Sequence, residues 1–337
     1  MKYAYYPGCS GSGTSKEYEI STRAVCRALG LEFTEIEDWS CCGSTPAHSL
    51  DPVLSAALSA RNLILAAKNG ADAVATPCPS CLSNLKLGRH KMSAPAFKNK
   101  VDSLLDAPSP QDPASLPDAF SVLQIITEQI NREDLHRRVT RPLEGIRVAC
   151  YYGCLMSRPP EVMRFDDCEN PMAMDNLLTA LGAEAVPFAM KTECCGSSLG
   201  IPRKDVTANL VGRILGNAKS FGADCVITAC PLCHMNLDLR QRQAEHAVRQ
   251  KFNIPVLYYT QILGLAFGLP AEDLLLDKLA VSPAGLLQTI ADRGAARRKA
   301  EAKAPAKEAN PNEGKTGQVA ENPAETSEAQ ENQGAAS

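Results

Sequence analysis

The chemistry available to this sequence lies in its cysteines. The 337 residues include 14 cysteines, and ten of these fall into two sets that repeat the same motifs in the same order. The first set consists of Cys9, Cys41, Cys42, Cys78 and Cys81. The second set consists of Cys154, Cys194, Cys195, Cys230 and Cys233. Thiols that recur at matched positions are typical of metal sites and of redox-active sites.

The composition favours a cytoplasmic protein in a reducing environment. No secretory signal precedes the first cysteine motif, and the longest apolar run, 256–269, is too short and too polar to span a membrane. In a reducing compartment, dense cysteine indicates metal binding or redox chemistry more than structural disulfides. A formal net charge of −3 without a long basic stretch argues against nucleic-acid binding.

Three cysteine chemistries compete when only residue types are considered. A structural zinc ion takes four ligands, whereas each set offers five cysteines. A thioredoxin-like dithiol would use only the Cys-Pro-x-Cys motif and would leave the other matched cysteines without a role. An iron–sulfur cluster, which is held by several thiolates, is the one chemistry of the three that uses all five.

The adjacent cysteines in each set predict a bent backbone. Neighbouring side chains of an extended chain point to opposite sides, so Cys41 and Cys42 can face one site only if the chain bends there. Gly43 and Gly196 follow the two pairs and permit such a bend. Five thiolates, two of them consecutive, exceed what a simple four-iron cube requires, so the spacing suggests an unusual cluster geometry.

The cysteines outside the two sets have no counterpart in the opposite half of the chain. We expect them to be ordinary buried small hydrophobic residues: Cys26, Cys150, Cys168 and Cys225. His234, which directly follows the second Cys-Pro-x-Cys motif, is expected to be a polar residue of the next helix.

The order of the motifs reveals an internal duplication. Matching blocks stand in the same order in the two halves: 5–9 with 150–154, 28–30 with 180–182, 41–44 with 194–197, 70–81 with 222–233, and 84–85 with 236–237. Such agreement over several blocks predicts that one structural unit is present twice.

Each duplicated unit is predicted to be α/β. A short apolar strand leads to the first cysteine, a helix and a strand lead to the Cys-Cys-Gly loop, and another helix and strand lead to Cys-Pro-x-Cys. This alternation favours parallel sheets with right-handed crossovers. Sites in open α/β sheets form beyond the carboxyl ends of the strands, where the matched cysteines stand. The expected fold is therefore two pseudo-symmetric strand–helix repeats with cysteine-bearing loops at strand ends.

The chain is expected to divide into four segments. They are a first cysteine-rich repeat at 1–92, a Pro-rich linker with a connecting helix at 93–144, a second cysteine-rich repeat at 145–290, and a tail at 291–337. The connecting helix is expected over 118–135. From Asp292 onward the tail has no aromatic residue and no Leu, Ile or Met, so we expect it to be disordered.

With these motifs the chain resembles the duplicated CCG cysteine-rich domain. Over most of residues 1–290 it resembles the B subunit of heterodisulfide reductase, with Tyr5-Tyr6-Pro7-Gly8-Cys9 and the two Cys-Cys-Gly loops as the matching features. The resemblance implies two non-cubane [4Fe-4S] clusters. The five cysteines of the first set would hold one cluster, and the five of the second set would hold the other.

The resemblance also implies an activity. The chain would be the catalytic iron–sulfur subunit of an oxidoreductase complex, in which a disulfide lodges between the clusters and each cluster captures one sulfur. Electrons would come from a ferredoxin-like C subunit that is fed by a flavin-containing A subunit. Reducing a disulfide takes two electrons while clusters deliver one at a time, which gives the duplication a rationale. The disulfide, on a small molecule or a sulfur-carrier protein, and the direction of reaction stay open.

Two other functions stay open as well. The chain could be a CCG-domain electron-transfer subunit of a flavin-dependent 2-hydroxyacid or glycerol-3-phosphate oxidase or dehydrogenase. The lack of a ferredoxin-type Cys-x-x-Cys-x-x-Cys-x-x-x-Cys-Pro run in this sequence counts against that function. The second alternative is a zinc-stabilised, non-enzymatic scaffold that binds partners through its tail, for which zinc without a visible chromophore is expected.

Overall fold

A computed structural model describes residues 1–44, 47–106 and 108–303. The first repeat contains β1 (Tyr3–Tyr5), α1 (Gly8–Ser12), α2 (Lys16–Leu29), β2 (Thr34–Glu35), α3 (Ala47–Leu50), α4 (Pro52–Lys68), β3 (Ala73–Thr76), α5 (Pro79–Lys91), α6 (Pro95–Asp102), β4 (Asp118–Ser121), α7 (Val122–Gln129) and α8 (Arg132–Arg138). The second contains β5 (Arg147–Tyr151), α9 (Pro160–Met163), α10 (Ala173–Ala180), β6 (Glu184–Ala185), α11 (Lys204–Ser220), β7 (Cys225–Thr228), α12 (Pro231–Leu239), α13 (Gln241–Val248), β8 (Val256–Tyr258) and α14 (Tyr259–Phe267). Helix α15 (Ala284–Lys303) follows.

Each repeat is built on a four-stranded parallel sheet. The strand orders are β2-β1-β3-β4 and β6-β5-β7-β8, and every pair of neighbours is parallel. In the first sheet Ala4 lies opposite both Thr34 and Val74, and in the second Val226 lies opposite both Ala149 and Val256. The α/β class and the parallel pairing that the sequence predicts are therefore confirmed.

The strand order places a crevice beside the first strand of each sheet. From β1 the chain goes to β2 on one side and later to β3 on the other, and β5 has the same relation to β6 and β7. The connections on the two sides run in opposite directions, so a gap opens beyond the carboxyl ends of the central strands. The loops that follow β1 and β3 carry Cys9 and Cys78, which places both at this gap.

Local sequence signals start and end the helices around this gap. Gly30 adopts a φ of +75° and ends α2, with its N–H bonded to the carbonyls of Arg27 and Cys26, as the sequence predicts. Asp51 caps α4 by accepting the N–H groups of Val53 and Leu54. Pro79 and Pro231 occupy the first turns of α5 and α12, where a missing N–H costs nothing.

The fourth strand of each sheet departs from the sequence-based expectation. Asp118 begins β4 and not a helix, because residues 118–121 pair with all four residues of β3. Ser121 then caps α7 by accepting the N–H of Gln124. The segment 93–144, expected to be a linker with one helix over 118–135, therefore supplies one strand and three α-helices (α6, α7 and α8) to the first repeat. The apolar run at 256–269 is likewise divided between β8 and α14.

The two repeats share one hydrophobic core. Helix α2 packs against α14, and α7 packs against α10, so helices of both repeats form the interface between them. A single cluster of buried residues runs from Tyr5 and Val25 in the first repeat to Leu257 and Ile262 in the second. The helices at this interface bury apolar faces that neither repeat covers by itself.

The described part of the chain ends in α15. This helix reaches Lys303 and so includes the first residues of the segment expected to be a disordered tail. The remainder of that predicted tail, 304–337, lies outside the described residues. Among the helices that the structure describes, none has both the length and the apolar composition needed to cross a bilayer.

Candidate functional site

The five cysteines of the first set line one cavity of about 410 Å³. Cys9 lies in α1 just after β1, the Cys-Cys pair lies in the loop after β2, and the other two lie at the start of α5. Cys42, Cys78 and Cys81 are buried, whereas Cys9 is exposed. The fold therefore brings together three motifs that are far apart in the sequence.

A glycine before the first cysteine lets the motifs approach. Gly8 has a φ of +71°, and a Cβ atom there would lie only 2.8 Å from Cys81 Sγ. Gly153 has a φ of +72°, and its Cβ position would lie 3.1 Å from Cys233 Sγ. A side chain at Gly8 would collide with a thiol and one at Gly153 would crowd it, and both positions have the positive φ angle that favours glycine.

The predicted bend at each Cys-Cys pair is confirmed. Gly43 and Gly196 adopt φ angles of +80° and +73°. The N–H of Gly43 points to Cys41 Sγ at 3.4 Å, and that of Gly196 points to Cys194 Sγ at 3.3 Å. Each bend directs the second cysteine of the pair inward, where Cys42 Sγ lies 3.5 Å from Cys81 Sγ. The corresponding distance from Cys195 Sγ to Cys233 Sγ is 3.4 Å.

The second set gathers around the ring of Tyr151. Burial raises the pKa of Tyr151, and four neighbouring thiols raise it further: Cys233, Cys195, Cys154 and Cys230. The fifth member, Cys194, hydrogen-bonds with Cys154. The two sets share one contact, between the second cysteine of the Cys-Cys pair and the second cysteine of Cys-Pro-x-Cys.

The second repeat forms the other wall of the first cavity. Ser197 and Ser198, which directly follow the second Cys-Cys-Gly, line it together with Ile201, Pro202 and Leu232. Leu232 stands between the two cysteines of the second Cys-Pro-x-Cys motif. The loops that carry the second set thus reach the cavity that the first set lines.

Tyrosines that the sequence analysis did not single out hold each Cys-Cys loop. Tyr6 Oη donates to the carbonyl of Ser40 at 2.7 Å, and Tyr151 Oη donates to the carbonyl of Glu193 at 2.6 Å. Ser40 and Glu193 directly precede the two pairs. Both tyrosines stand at the same distance before the first cysteine of their set, which is the sequence signal that could have identified them.

Asparagine side chains on the helix after each Cys-Pro-x-Cys motif also hydrogen-bond to the Cys-Cys loops. Asn84 Nδ2 donates to the carbonyl of Cys42, and Asn236 Nδ2 donates to the carbonyl of Cys195 at 3.1 Å. Asn236 also approaches Cys195 Sγ at 3.7 Å. The two asparagines belong to the matched blocks of the duplication, but the sequence did not reveal that they bond to the cysteine loops.

The crowding of thiols separates their acidities. Hydrogen bonds from Cys41 and then from Cys81 lower the pKa of Cys42 to about 4. A hydrogen bond from Cys154 lowers the pKa of Cys194 to about 6. The donors show the opposite effect, since bonding to Cys42 raises the pKa of Cys81. Each set therefore favours at least one thiolate, the form in which cysteine binds metals.

The four cysteines outside the two sets agree only in part with the prediction that they are buried. Cys26, Cys150 and Cys225 are buried, as predicted, and burial raises the pKa of the Cys26 thiol to about 12. The prediction for Cys168 is wrong, because this residue is partly exposed beside the acidic segment at 166–169. His234 lies in α12, as expected, and it is buried with its Nε2 2.9 Å from the carbonyl of Val256.

The donor set fits an iron–sulfur cluster. Across the described ranges, no three His, Cys, Asp or Glu side chains converge as a single bound ion would require. The sulfur atoms of the first set instead surround a cavity and stand at its walls. Several thiolates around one space, with a backbone N–H directed at a sulfur, suit a cluster that has more than one metal atom.

The two repeats both match a known family. Residues 3–86 and 148–238 match CCG, which is described as a cysteine-rich domain. This chain belongs to the CCG cysteine-rich domain family. The resemblance to the B subunit of heterodisulfide reductase is also confirmed, since a protein from Archaeoglobus profundus that is named as similar to this B subunit is 32% identical over 280 residues. That match covers 81% of this chain and 92% of the relative.

A second relative of the CCG chain carries a different name. The "8-methylmenaquinol:fumarate reductase membrane anchor subunit" from Wolinella succinogenes is 34% identical over 273 residues, which covers 81% of this chain and 94% of the relative. Both relatives are subunits of oxidoreductases or are named after one. Family membership therefore supports an iron–sulfur electron-transfer subunit of an oxidoreductase.

A solved structure confirms the fold. A hypothetical protein from Helicobacter pylori superposes with a TM-score of 0.65 at 15% identity, covering 83% of this chain and 52% of that one. This CCG chain thus spans about half the length of the solved protein, and the likeness concerns the fold alone.

Proposed function

We propose that this protein is the catalytic iron–sulfur subunit of a heterodisulfide-reductase-like complex. It would reduce or form a disulfide with electrons that pass through a ferredoxin-like partner subunit. The observation that carries the proposal is the cavity of about 410 Å³ between the first cysteine set and the loops of the second. With a cluster held by the first cysteine set, a disulfide at the opposite wall of this cavity would have cysteine loops of both repeats beside it.

Each cysteine set would hold one cluster. Cys9, Cys41, Cys42, Cys78 and Cys81 would hold the first, and Cys154, Cys194, Cys195, Cys230 and Cys233 would hold the second. When bound there, iron–sulfur clusters supply electrons singly, and the reduction of one disulfide consumes two. The matched bends at Gly43 and Gly196 direct the second cysteine of each pair inward and support a similar ligand pattern in both repeats.

Apolar and polar residues of the cavity wall would contact different parts of a bound substrate. Ile201, Pro202 and Leu232 form an apolar side of the cavity that would contact the carbon skeleton of a thiol compound. Serine hydroxyls that line the same cavity, among them Ser44, Ser80 and Ser197, are able to hydrogen-bond to polar groups of the substrate. This mixed lining suits a small disulfide or the extended end of a carrier protein.

Metal analysis of cysteine variants tests the proposal. Anaerobically purified protein is expected to contain iron, and Cys41→Ser and Cys194→Ser are each expected to lose part of the iron and to abolish disulfide turnover. Cys168→Ser, a partly exposed cysteine outside both sets, serves as the control and should keep both. Colourless protein that contains zinc would instead support the scaffold alternative, and full turnover in Cys194→Ser would contradict the mechanism.

The relative from Wolinella succinogenes favours a second candidate function. A chain 34% identical to a subunit of an 8-methylmenaquinol:fumarate reductase would pass electrons between a quinol and partner subunits without acting on a disulfide. The two functions differ in the compound that exchanges electrons with the clusters. Reoxidation by candidate disulfides supports the first function, whereas reduction by a quinol with no response to disulfides supports the second.

A further inference from the structure

One buried hydroxyl connects the two Cys-Pro-x-Cys loops. Tyr18 Oη lies 2.9 Å from the carbonyl oxygen of Pro77 and 2.8 Å from that of Ala229. Pro77 directly precedes Cys78, and Ala229 directly precedes Cys230. Tyr18 therefore bonds to equivalent positions of both repeats, and the two carbonyl oxygens can be no farther apart than the sum of these distances.

Within the described residues, the hydrogen bonds of Tyr18 have no counterpart from the second repeat, unlike other hydrogen bonds that hold the cysteine loops. When residues 28–30 are matched with 180–182, the counterpart of Tyr18 is Asn170, which precedes α10. Tyr6 and Asn84, in contrast, each have an equivalent partner in the second repeat. A single proton on Tyr18 is shared between two acceptors, so both loops depend on one side chain.

The ring of Tyr18 is held in a stack that crosses the interface. It stacks on Tyr258 with ring centroids 4.1 Å apart and planes inclined by 5°. His234 stacks on Tyr258 at 4.1 Å and 14°, which requires the opposite face of that ring. Tyr18 is only 2% exposed, and burial raises the pKa of its hydroxyl, so the group stays a protonated donor. The hydroxyl therefore has little freedom to follow a loop that moves.

We infer that Tyr18 is a positioning residue that sets the spacing between the two Cys-Pro-x-Cys loops. The inference rests on the proposed function, in which both sulfurs of a disulfide must meet cysteine loops of both repeats. Loops that shift independently would offer one sulfur a favourable contact at the expense of the other, because reacting groups must be held in a narrow range of geometry.

Hydrogen exchange of the anaerobically purified full chain tests the connection directly. Tyr18→Phe keeps the ring and its stack but removes the donor from both carbonyls. We expect faster exchange in peptides that cover 77–82 and 229–234 together. Ser21→Ala is the control, because it removes the buried hydrogen bond of 2.7 Å between Ser21 Oγ and Thr260 Oγ1 across the same interface, and the bond from Ser21 Oγ to the Tyr18 carbonyl within α2, without touching a cysteine loop. Unchanged exchange in Tyr18→Phe, or an equal change in the control, would overturn the inference.

Turnover of the iron-loaded protein tests the role in catalysis. Tyr18→Phe is expected to keep its iron and its reduction by a one-electron dye, which needs only one cluster. Its disulfide turnover should fall by about tenfold, the size of effect expected when buried acceptors lose a donor. Equal losses of dye reduction and disulfide turnover would indicate a merely structural role and would overturn the inference. A wild-type protein without disulfide turnover would refute the proposed function, while the exchange experiment would still decide whether Tyr18 joins the loops.

A third variant keeps the test valid if Tyr18→Phe does not fold. Tyr18→4-aminophenylalanine preserves the shape of the side chain and offers two N–H donors, one for each carbonyl. We expect this variant to restore slow exchange in both loops and disulfide turnover close to that of the wild type. A folded, iron-loaded 4-amino variant with fast exchange in both loops would contradict the inference.

Discussion

At the level of single residues, the cysteine sets depend on the groups that make room for them. Gly8 and Gly153 leave space for the thiols of Cys81 and Cys233, and Tyr6 Oη anchors the backbone just before the Cys-Cys pair. Thiols alone would not converge, because they are carried by separate loops. The small and aromatic neighbours therefore decide whether five cysteines form one site.

Replacing Gly8 by alanine should weaken binding of the cluster that we propose for the first cysteine set. The new Cβ atom would lie 2.8 Å from Cys81 Sγ, and the φ of +71° adds strain of about 1 kcal/mol. We expect Gly8→Ala to lose iron from the first site. Gly30→Ala is the matched control, because Gly30 has a φ of +75° and its Cβ would meet nothing within 4 Å. If both variants keep the same iron content, the close approach of Cys81 is not important for binding.

The four cysteines outside the sets should differ in reactivity with iodoacetamide. Burial raises the pKa of Cys26 to about 12 and also raises the pKa of Cys150 and Cys225, so few thiolates form and reagent has no access. Cys168 is partly exposed and should be the first of the four to react. Peptide mass spectrometry of the folded and the denatured protein measures this order. Rapid modification of Cys26 in the folded protein would contradict the described core.

At the level of elements, helix α4 supports the first Cys-Cys loop from behind. Ser55 Oγ donates to the carbonyl of Gly43 at 3.0 Å, and Ser59 Oγ donates to that of Cys42 at 2.9 Å. In the second repeat Thr207 of α11 bonds to the carbonyl of Gly196 at 3.0 Å. A helix that carries none of the matched cysteines thus holds the bend that directs the thiols.

Removing the cap of α4 should weaken both the helix and the site. Asp51→Ala loses the two hydrogen bonds to Val53 and Leu54 and should cost about 1 kcal/mol of unfolding free energy. We expect iron to leave the variant faster in the presence of a chelator. Asn131→Ala, which removes the cap of α8, should cost a similar amount but leave iron release unchanged. Equal iron release in the two variants would mean that α4 does not control the loop.

At the level of the whole molecule, the repeats behave as parts of one folded core. Helix α2 of the first repeat packs on α14 of the second, and the largest buried cluster includes residues of both. Separating the repeats would expose that apolar surface to water, at a cost of about 25 cal/mol for each Å². We therefore expect that neither repeat is stable without the other.

Chemical denaturation should consequently show one transition. Trp39 is the only tryptophan and contacts Tyr6 in the first repeat, with ring centroids 5.5 Å apart. Its fluorescence reports on the first repeat, whereas far-ultraviolet circular dichroism reports on both. The two signals should give the same midpoint in urea, as cooperative unfolding requires. Two separate midpoints would show that the repeats unfold independently.

Patterns in the amino-acid sequence determined those structural features that depend on residues close together in the chain. The duplication, the two sets of five cysteines, the strand–helix alternation and the bend at Gly43 all follow from local spacing and residue type. A parallel sheet also implies that loops after its strands meet at one edge, so the approach of Cys9 to Cys78 was predictable. Assignment of the ten cysteines as cluster ligands stays a prediction.

Only the tertiary structure decided what depends on contacts between distant segments. Asp118–Ser121 became a strand because β3 offered it a partner, although its own sequence suggested a helix. Cys168 stayed partly exposed, although its type favours burial. Tyr18 contacts Ala229, 211 residues away, and no pattern in the chain indicates such a bond. Local sequence encodes backbone preference and burial tendency, whereas the pairing of remote groups arises only when the whole core is packed.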